Sequence, residues 1–162
     1  MNLRLFLPLL IFIPVAVIQL TIIPFFSFDF IVPDLVLILV VYFALQNGQI
    51  YGSIFGFTVG LLMDLISGGL IGSWMFSKTL SGFLAGYFYN ENKVSYNTGS
   101  FLLVFIVFIC GTIDSILHAF FASTEGNTTL IFLIFEQGIL PGIYSAILSV
   151  LLIFKPSGRA LS

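Results

Sequence analysis

Residues 48–66 read GQIYGSIFGFTVGLLMDLI, and this stretch decides the fold. A small residue recurs at every fourth position of it, and the series ends in a carboxylate. Its members are Gly48, Gly52, Gly56, Gly60 and Asp64. Residues four apart lie on one face of a helix, and small residues at this spacing let two helices approach closely inside a bilayer. The stretch therefore predicts an apolar helix with one smooth face.

The composition of the chain indicates a membrane protein. Of the 162 residues, 59% are hydrophobic and only 7% are charged, whereas a soluble domain carries about 25% charged residues. Several charge-free runs approach the roughly 20 residues that an apolar helix needs to cross the hydrocarbon core. We therefore expect an all-α membrane protein with a single integral membrane domain over residues 1–162 and six transmembrane helices. The predicted spans are about 3–23, 34–47, 50–67, 70–89, 99–122 and 131–154.

The basic residues predict the orientation of these spans. With six spans, one side of the membrane holds Arg4, Lys93, Lys155 and Arg159, and the loops on the other side contain no Lys or Arg. Because basic loops remain in the cytoplasm, we expect both termini to be cytoplasmic. The protein is then a multi-pass membrane protein in contact with lipid.

Composition also excludes several classes of function. Five basic residues against seven acidic ones leave no cationic surface for nucleic acid. The single cysteine, Cys110, has no partner for a disulfide or a zinc cluster, and we expect no metal and no cofactor. Asp64 and Asp114 are the only pair that an intramembrane aspartyl protease could use, and neither lies in a G-x-G-D context. No serine-protease motif accompanies His118, so we predict no catalytic residue and no enzyme.

Two ionisable residues on either side of a tight turn are expected to pair. Asp64 falls near the end of the third helix and Lys78 inside the fourth, with Ser67, Gly68 and Gly69 between the helices. A lone charge facing lipid costs at least about 2.5 kcal/mol, and the lysine stem is long enough to bring its ammonium to the carboxylate. The pair is either a structural link between the two helices or a functional site.

Three further polar residues fall inside the predicted spans. Asp114 and His118 are four residues apart and so share a helix face. They either form a hydrogen-bonded pair within the helix or line an outward-facing cavity as a proton relay or ligand contact. Glu136 is close enough to its helix end for the carboxylate to reach the interface.

The fourth helix repeats the small-residue spacing of the third, with Lys78, Gly82 and Gly86. One interpretation is that the two stripes pack the third helix against the fourth. The other is that they form a groove for the transmembrane helix of a partner. The candidate groove residues are Gly52, Gly56, Gly60, Gly82 and Gly86.

Three motifs lie within residues 33–87: Pro33 and Asp34 before an apolar helix, the segment GLLMDL at residues 60–65 with Asp64, and the segment SKTLSGFLAGY at residues 77–87. In these motifs the chain resembles the rod shape-determining protein MreD family. Length and six spans agree over the rest of the chain. The resemblance implies a non-enzymatic, multi-pass subunit of the bacterial cell-elongation machinery in the inner (cytoplasmic) membrane, active in rod shape and peptidoglycan synthesis.

The family also implies partners. Its members associate with MreC, a single-span protein, and act beside the actin-like MreB, the polymerase RodA and a class-B penicillin-binding transpeptidase. MreD is similar in architecture to the substrate-binding S components of energy-coupling-factor transporters, which predicts an S-component-like bundle. The alternative function is therefore an S component that binds a small solute in an outward-facing polar cavity.

Overall fold

The regular structure is helical throughout the part of the chain that the computed structural model describes, residues 3–26, 31–68, 70–122 and 134–153. The helices are α1 (Leu3–Thr21), α2 (Leu35–Asn47), α3 (Gln49–Ser67), α4 (Ser73–Tyr87), α5 (Val94–Gly99), α6 (Phe101–Ala122) and α7 (Leu140–Ile153). Short 3-10 turns occupy Ile23–Phe26 and Glu91–Lys93, and a π turn at Phe135–Ile139 leads into α7. The all-α prediction is confirmed for these residues.

Among the residues that the structure describes, four segments are long and apolar enough to cross a membrane: Leu7–Phe25, Gln49–Ser67, Phe101–Phe121 and Phe135–Ile153. Leu35–Asn47 is a shorter apolar helix, and α4 has 15 residues, fewer than the roughly 20 that a perpendicular span needs. Six spans and cytoplasmic termini therefore stay predictions. Lys155 and Arg159, on which the orientation partly rests, lie outside the described residues.

The fourth helix begins three residues later than predicted. Gly68 and Gly72 adopt positive φ angles of 67° and 109°, a left-handed conformation that glycine tolerates and that a helix interior excludes. Gly68 thus ends α3, and Gly72 immediately precedes α4. Gly69, the middle of the predicted turn, is outside the described residues.

The glycine stripes face each other between α3 and α4. A Cβ atom on Gly56 would overlap the carbonyl oxygen of Lys78, and one on Gly82 would overlap that of Gly52. A Cβ on Gly60 would lie 2.6 Å from the Cα of Met75. Because residue numbers rise along α3 as those of their neighbours fall along α4, the two helices are antiparallel. Their glycine faces are therefore filled by each other and leave no groove for a partner's helix.

Helix α2 lies at the centre of the bundle, which explains how so short an apolar helix is accommodated. One side of it packs on α6, where Leu37 and Val41 meet Leu103 and Ile106. Its other side contacts α1 and α3 in a second cluster. The buried members of that cluster are Phe12, Ala16, Val36, Val40, Phe43, Phe55, Val59 and Met63. Neighbouring helices thus cover α2. A helix too short to cross the bilayer perpendicular to its plane is accommodated in this way.

Candidate functional site

A buried ionic cluster lies at the end of the bundle where α2 begins. The ammonium of Lys78, on α4, is fully buried, and its Nζ lies 2.5 Å from Oδ2 of Asp34 and 2.5 Å from Oδ2 of Asp114. Asp34 precedes α2 and Asp114 belongs to α6. We call these three side chains the ion triad; it joins α2, α4 and α6 through one cation.

The predicted pairing of Lys78 with Asp64 is wrong. Both oxygens of the Asp64 carboxylate instead accept hydrogen bonds from the start of α4. The donors are the backbone N–H groups of Gly72 at 2.8 Å, Trp74 at 3.0 Å and Met75 at 3.0 Å, together with the Ser73 hydroxyl at 3.4 Å. The first N–H groups of a helix have no partner within it, and the helix dipole favours an anion there. Asp64 therefore caps α4 and needs no cation.

The Pro33-Asp34 segment holds several helices together. Asp34 caps α2 by accepting a 2.8 Å hydrogen bond from the Leu37 backbone N–H, as expected for an acidic residue at a helix start. Its own N–H donates to Oγ of Ser145, on α7, at 2.8 Å. Gln19, on α1, donates to the Pro33 carbonyl and accepts from the Leu35 N–H, both at 2.9 Å. This segment thus connects α1 and α7 to the ion triad.

Asp114 and His118 form no hydrogen bond with each other, so the first of the two interpretations of this pair is wrong. Asp114 uses Oδ2 for Lys78, while its Oδ1 and Nδ1 of His118 are buried with no hydrogen-bond partner among the described residues. The imidazole instead stacks against Trp74, with ring centroids 4.1 Å apart. On the same indole, Nζ of Lys78 lies 4.3 Å from the ring centroid.

A cavity of about 490 Å³ opens beside the ion triad. Its wall includes Asp34, Trp74, Asp114, His118 and Gln137. Asp114 and His118 thus both line a cavity, as the second interpretation of these residues requires. Glu136 is exposed on the π turn and is not part of this wall.

Sequence reasoning missed the polar contributors from α1 and α7. Gln19 and Ser145 are buried, with 7% and 1% of their surfaces exposed, yet neither belongs to a recognisable motif. The available signal is a polar side chain on an otherwise apolar helix, because such a group needs a partner in hydrocarbon. Within the described ranges, no three His, Cys, Asp or Glu side chains lie close enough to hold a metal.

Comparisons with known proteins identify the family. Searches of curated proteins and of solved structures return no match to this chain. The model of the family described as rod shape-determining protein MreD, however, matches residues 1–155. This is a family of shape-determining structural proteins and is not known as an enzyme family. The match covers nearly the whole chain, well beyond the motifs of residues 33–87, and the chain therefore belongs to the MreD family, membrane proteins of rod-shape determination.

Proposed function

We propose that this protein is a non-enzymatic scaffold of the bacterial elongation complex, a multi-pass protein of the inner membrane with six spans and both termini in the cytoplasm. The observation that carries the proposal is the family match over residues 1–155. The architecture supports it, because the ion triad and the α3–α4 contact connect α2, α3, α4 and α6 into one packed bundle. The partner in direct contact is the single-span protein MreC, and MreB, RodA and a class-B transpeptidase act in the same complex.

The partner's transmembrane helix needs a surface other than the glycine stripes, which are occupied. Among the described residues, α6 and α7 form an apolar groove of about 330 Å³. Its wall consists of Phe101, Val104, Phe105, Phe108, Ile143, Ala146, Ile147 and Val150. An uncharged groove of this kind suits an apolar helix laid along it. We propose that the MreC span docks here, with Phe105, whose surface is 58% exposed, as one anchor.

Co-purification from membranes tests this proposal. Phe105→Ala is expected to reduce the recovery of MreC, whereas Ile54→Ala, which removes an exposed apolar side chain from α3, is the matched control. Recovery of MreC at the wild-type level with Phe105→Ala, or an equal loss with both variants, would contradict the groove. Depletion of the protein tests the wider function: loss of rod shape is expected.

The alternative, an S component of an energy-coupling-factor transporter, is not favoured by the family match. No solved structure matches the chain, so the likeness to the S-component bundle remains a prediction. Depletion separates the two functions. A defect in the uptake of a small solute with normal cell shape would contradict the scaffold.

A further inference from the structure

The cavity beside the ion triad contains two polar atoms without a partner. Asp114 has 1% of its surface exposed, and its Oδ1 accepts no hydrogen bond from the described residues. Nδ1 of His118, one turn further along α6, is likewise buried and unpartnered. Buried polar atoms are nearly always hydrogen-bonded, and an unsatisfied one costs free energy, more so when it is charged. Both residues line the cavity, so a molecule bound in the cavity is the candidate partner for both atoms.

The ion triad also leaves the cavity with an excess of negative charge. One ammonium faces two carboxylates, which leaves a formal charge of minus one. Lys78 cannot supply the missing donor to Oδ1 of Asp114, because its ammonium already contacts Oδ2 of Asp34, Oδ2 of Asp114 and the Trp74 ring. Asp64 does not change this balance, since its carboxylate faces the N-terminus of α4.

We infer that the cavity binds a primary ammonium group. A single positive charge balances the triad, and an ammonium offers three N–H donors, enough for Oδ1 of Asp114 and for Nδ1 of a neutral His118. Ser115 and Gln137, whose side chains can accept hydrogen bonds, also line the cavity. A volume of about 490 Å³ falls within the roughly 300 to 1,000 Å³ of sites for small organic molecules, which favours an organic amine over a bare ion.

Two sources can present this chemistry: a soluble primary amine, or the headgroup of an aminophospholipid such as phosphatidylethanolamine. The cavity lies at one end of the helical bundle, where α2 and α4 begin and α3 ends, and lipid headgroups occupy the corresponding level of a bilayer. Both sources place a primary ammonium opposite Asp114, and they differ in whether acyl chains follow it.

Thermal unfolding of the purified protein in phosphatidylcholine nanodiscs tests the inference. Ethanolamine hydrochloride is compared with choline chloride, which carries the same charge and has no N–H donor. A parallel series replaces part of the phosphatidylcholine by phosphatidylethanolamine. We expect a rise in the unfolding midpoint with ethanolamine, with phosphatidylethanolamine, or with both, and none with choline. A response to the free amine identifies a soluble ligand, and a response to the lipid alone identifies the headgroup.

Variants assign the effect to the cavity. Asp114→Asn is expected to weaken the response to the amine at least about tenfold, because a charge-assisted hydrogen bond and the excess charge are lost together. Glu136→Gln removes the same charge from an exposed position outside the cavity wall and is expected to change nothing. Ala119→Phe fills the cavity and leaves the ion triad intact, so that it tests the site even where Asp114→Asn fails to fold.

Several results would overturn the inference: equal stabilisation by choline, no stabilisation by either amine source, or a wild-type response in Ala119→Phe. In these cases water molecules supply the missing hydrogen bonds of Asp114 and His118. The measurement uses the isolated protein, so its outcome is independent of whether MreC binds.

Discussion

Nζ of Lys78 lies 2.5 Å from Oδ2 of Asp114, across 36 residues of sequence and between two different helices. Neither side chain reaches solvent: Lys78 is fully buried and Asp114 is 1% exposed. An ion pair removed from water in this way is held in place by its partners, because either charge alone in the same position would be strongly unfavourable. With Asp34 as the second anion, the pair determines where α2, α4 and α6 meet.

Removal of the cation is expected to be the most damaging single change among these residues. Lys78→Met leaves the carboxylates of Asp34 and Asp114 buried side by side without a counter-charge, and we expect a loss of about 3 to 5 kcal/mol in the free energy of unfolding. Unfolding in detergent with a chemical denaturant measures it. A loss below about 1 kcal/mol would show that the ion triad contributes little.

Double-mutant cycles test whether Lys78 interacts with Asp114, as in the structure, or with Asp64, as the sequence predicted. The coupling between Lys78→Met and Asp114→Asn is expected to exceed about 1 kcal/mol, because the two side chains are in contact. The coupling between Lys78→Met and Asp64→Asn is expected to stay below about 0.5 kcal/mol, since Lys78 and Asp64 form no hydrogen bond or ion pair with each other. The reverse order of couplings would contradict the geometry of the ion triad.

Asp64→Asn tests the cap of α4. The amide keeps one acceptor oxygen and loses the charge that the N-terminus of α4 stabilises, so we expect a loss of about 1 to 3 kcal/mol in the free energy of unfolding. Glu136→Gln is the matched control, because its carboxylate is exposed, and its effect is expected to remain within about 0.5 kcal/mol. Equal effects of the two changes would argue against a specific cap.

Gly56→Ala tests the contact between α3 and α4. The new methyl group would overlap the Lys78 carbonyl oxygen, and separating the two helices is expected to cost about 1 to 3 kcal/mol. Gly99→Ala is the control, because nothing lies within 4 Å of a Cβ at that position. Thermal unfolding in detergent compares them; an unchanged midpoint for Gly56→Ala would contradict the close approach.

Gln19→Leu tests the link between α1 and the start of α2. The apolar side chain has a similar size and leaves the Pro33 carbonyl and the Leu35 N–H without partners, so we expect a loss of about 1 to 3 kcal/mol. Thr21→Ala is the control on the same helix, because Thr21 is exposed and its hydroxyl contacts only the Val17 carbonyl one turn earlier. If both variants unfold like the wild type, water or lipid replaces the amide of Gln19.

Patterns within one helix, or between two helices joined by a short turn, were readable from the sequence, and contacts between helices far apart in the sequence were not. Asp34 lies at a helix start, as its position before an apolar run predicted. The glycine stripes pack α3 against α4, which was one of the two interpretations of their spacing. The partner of Lys78 depends instead on which helices are neighbours. Asp34 and Asp114 lie 44 and 36 residues from it, whereas Asp64 was preferred because it is close in sequence.

The position at which α4 begins explains why the predicted pairing of Lys78 with Asp64 is wrong. A helix predicted from residue 70 would have placed Asp64 beside the body of α4, within reach of Lys78. Gly72, with φ of 109°, delays the helix to Ser73 and presents its free N–H groups to the Asp64 carboxylate. These N–H donors stabilise the carboxylate in place of a cation. The hydropathy of the sequence does not reveal them.

The position of the ion triad along the chain has a consequence for biosynthesis. Asp34 and Lys78 leave the ribosome before Asp114, so the first part of the chain contributes one anion and one cation to the ion triad, and these two neutralise each other. The second carboxylate arrives only with α6, and it converts a neutral pair into a cluster with one excess negative charge. A nascent chain that ends before α6 is therefore electrically balanced at this point, and a chain that includes α6 is the first species able to attract a cation there.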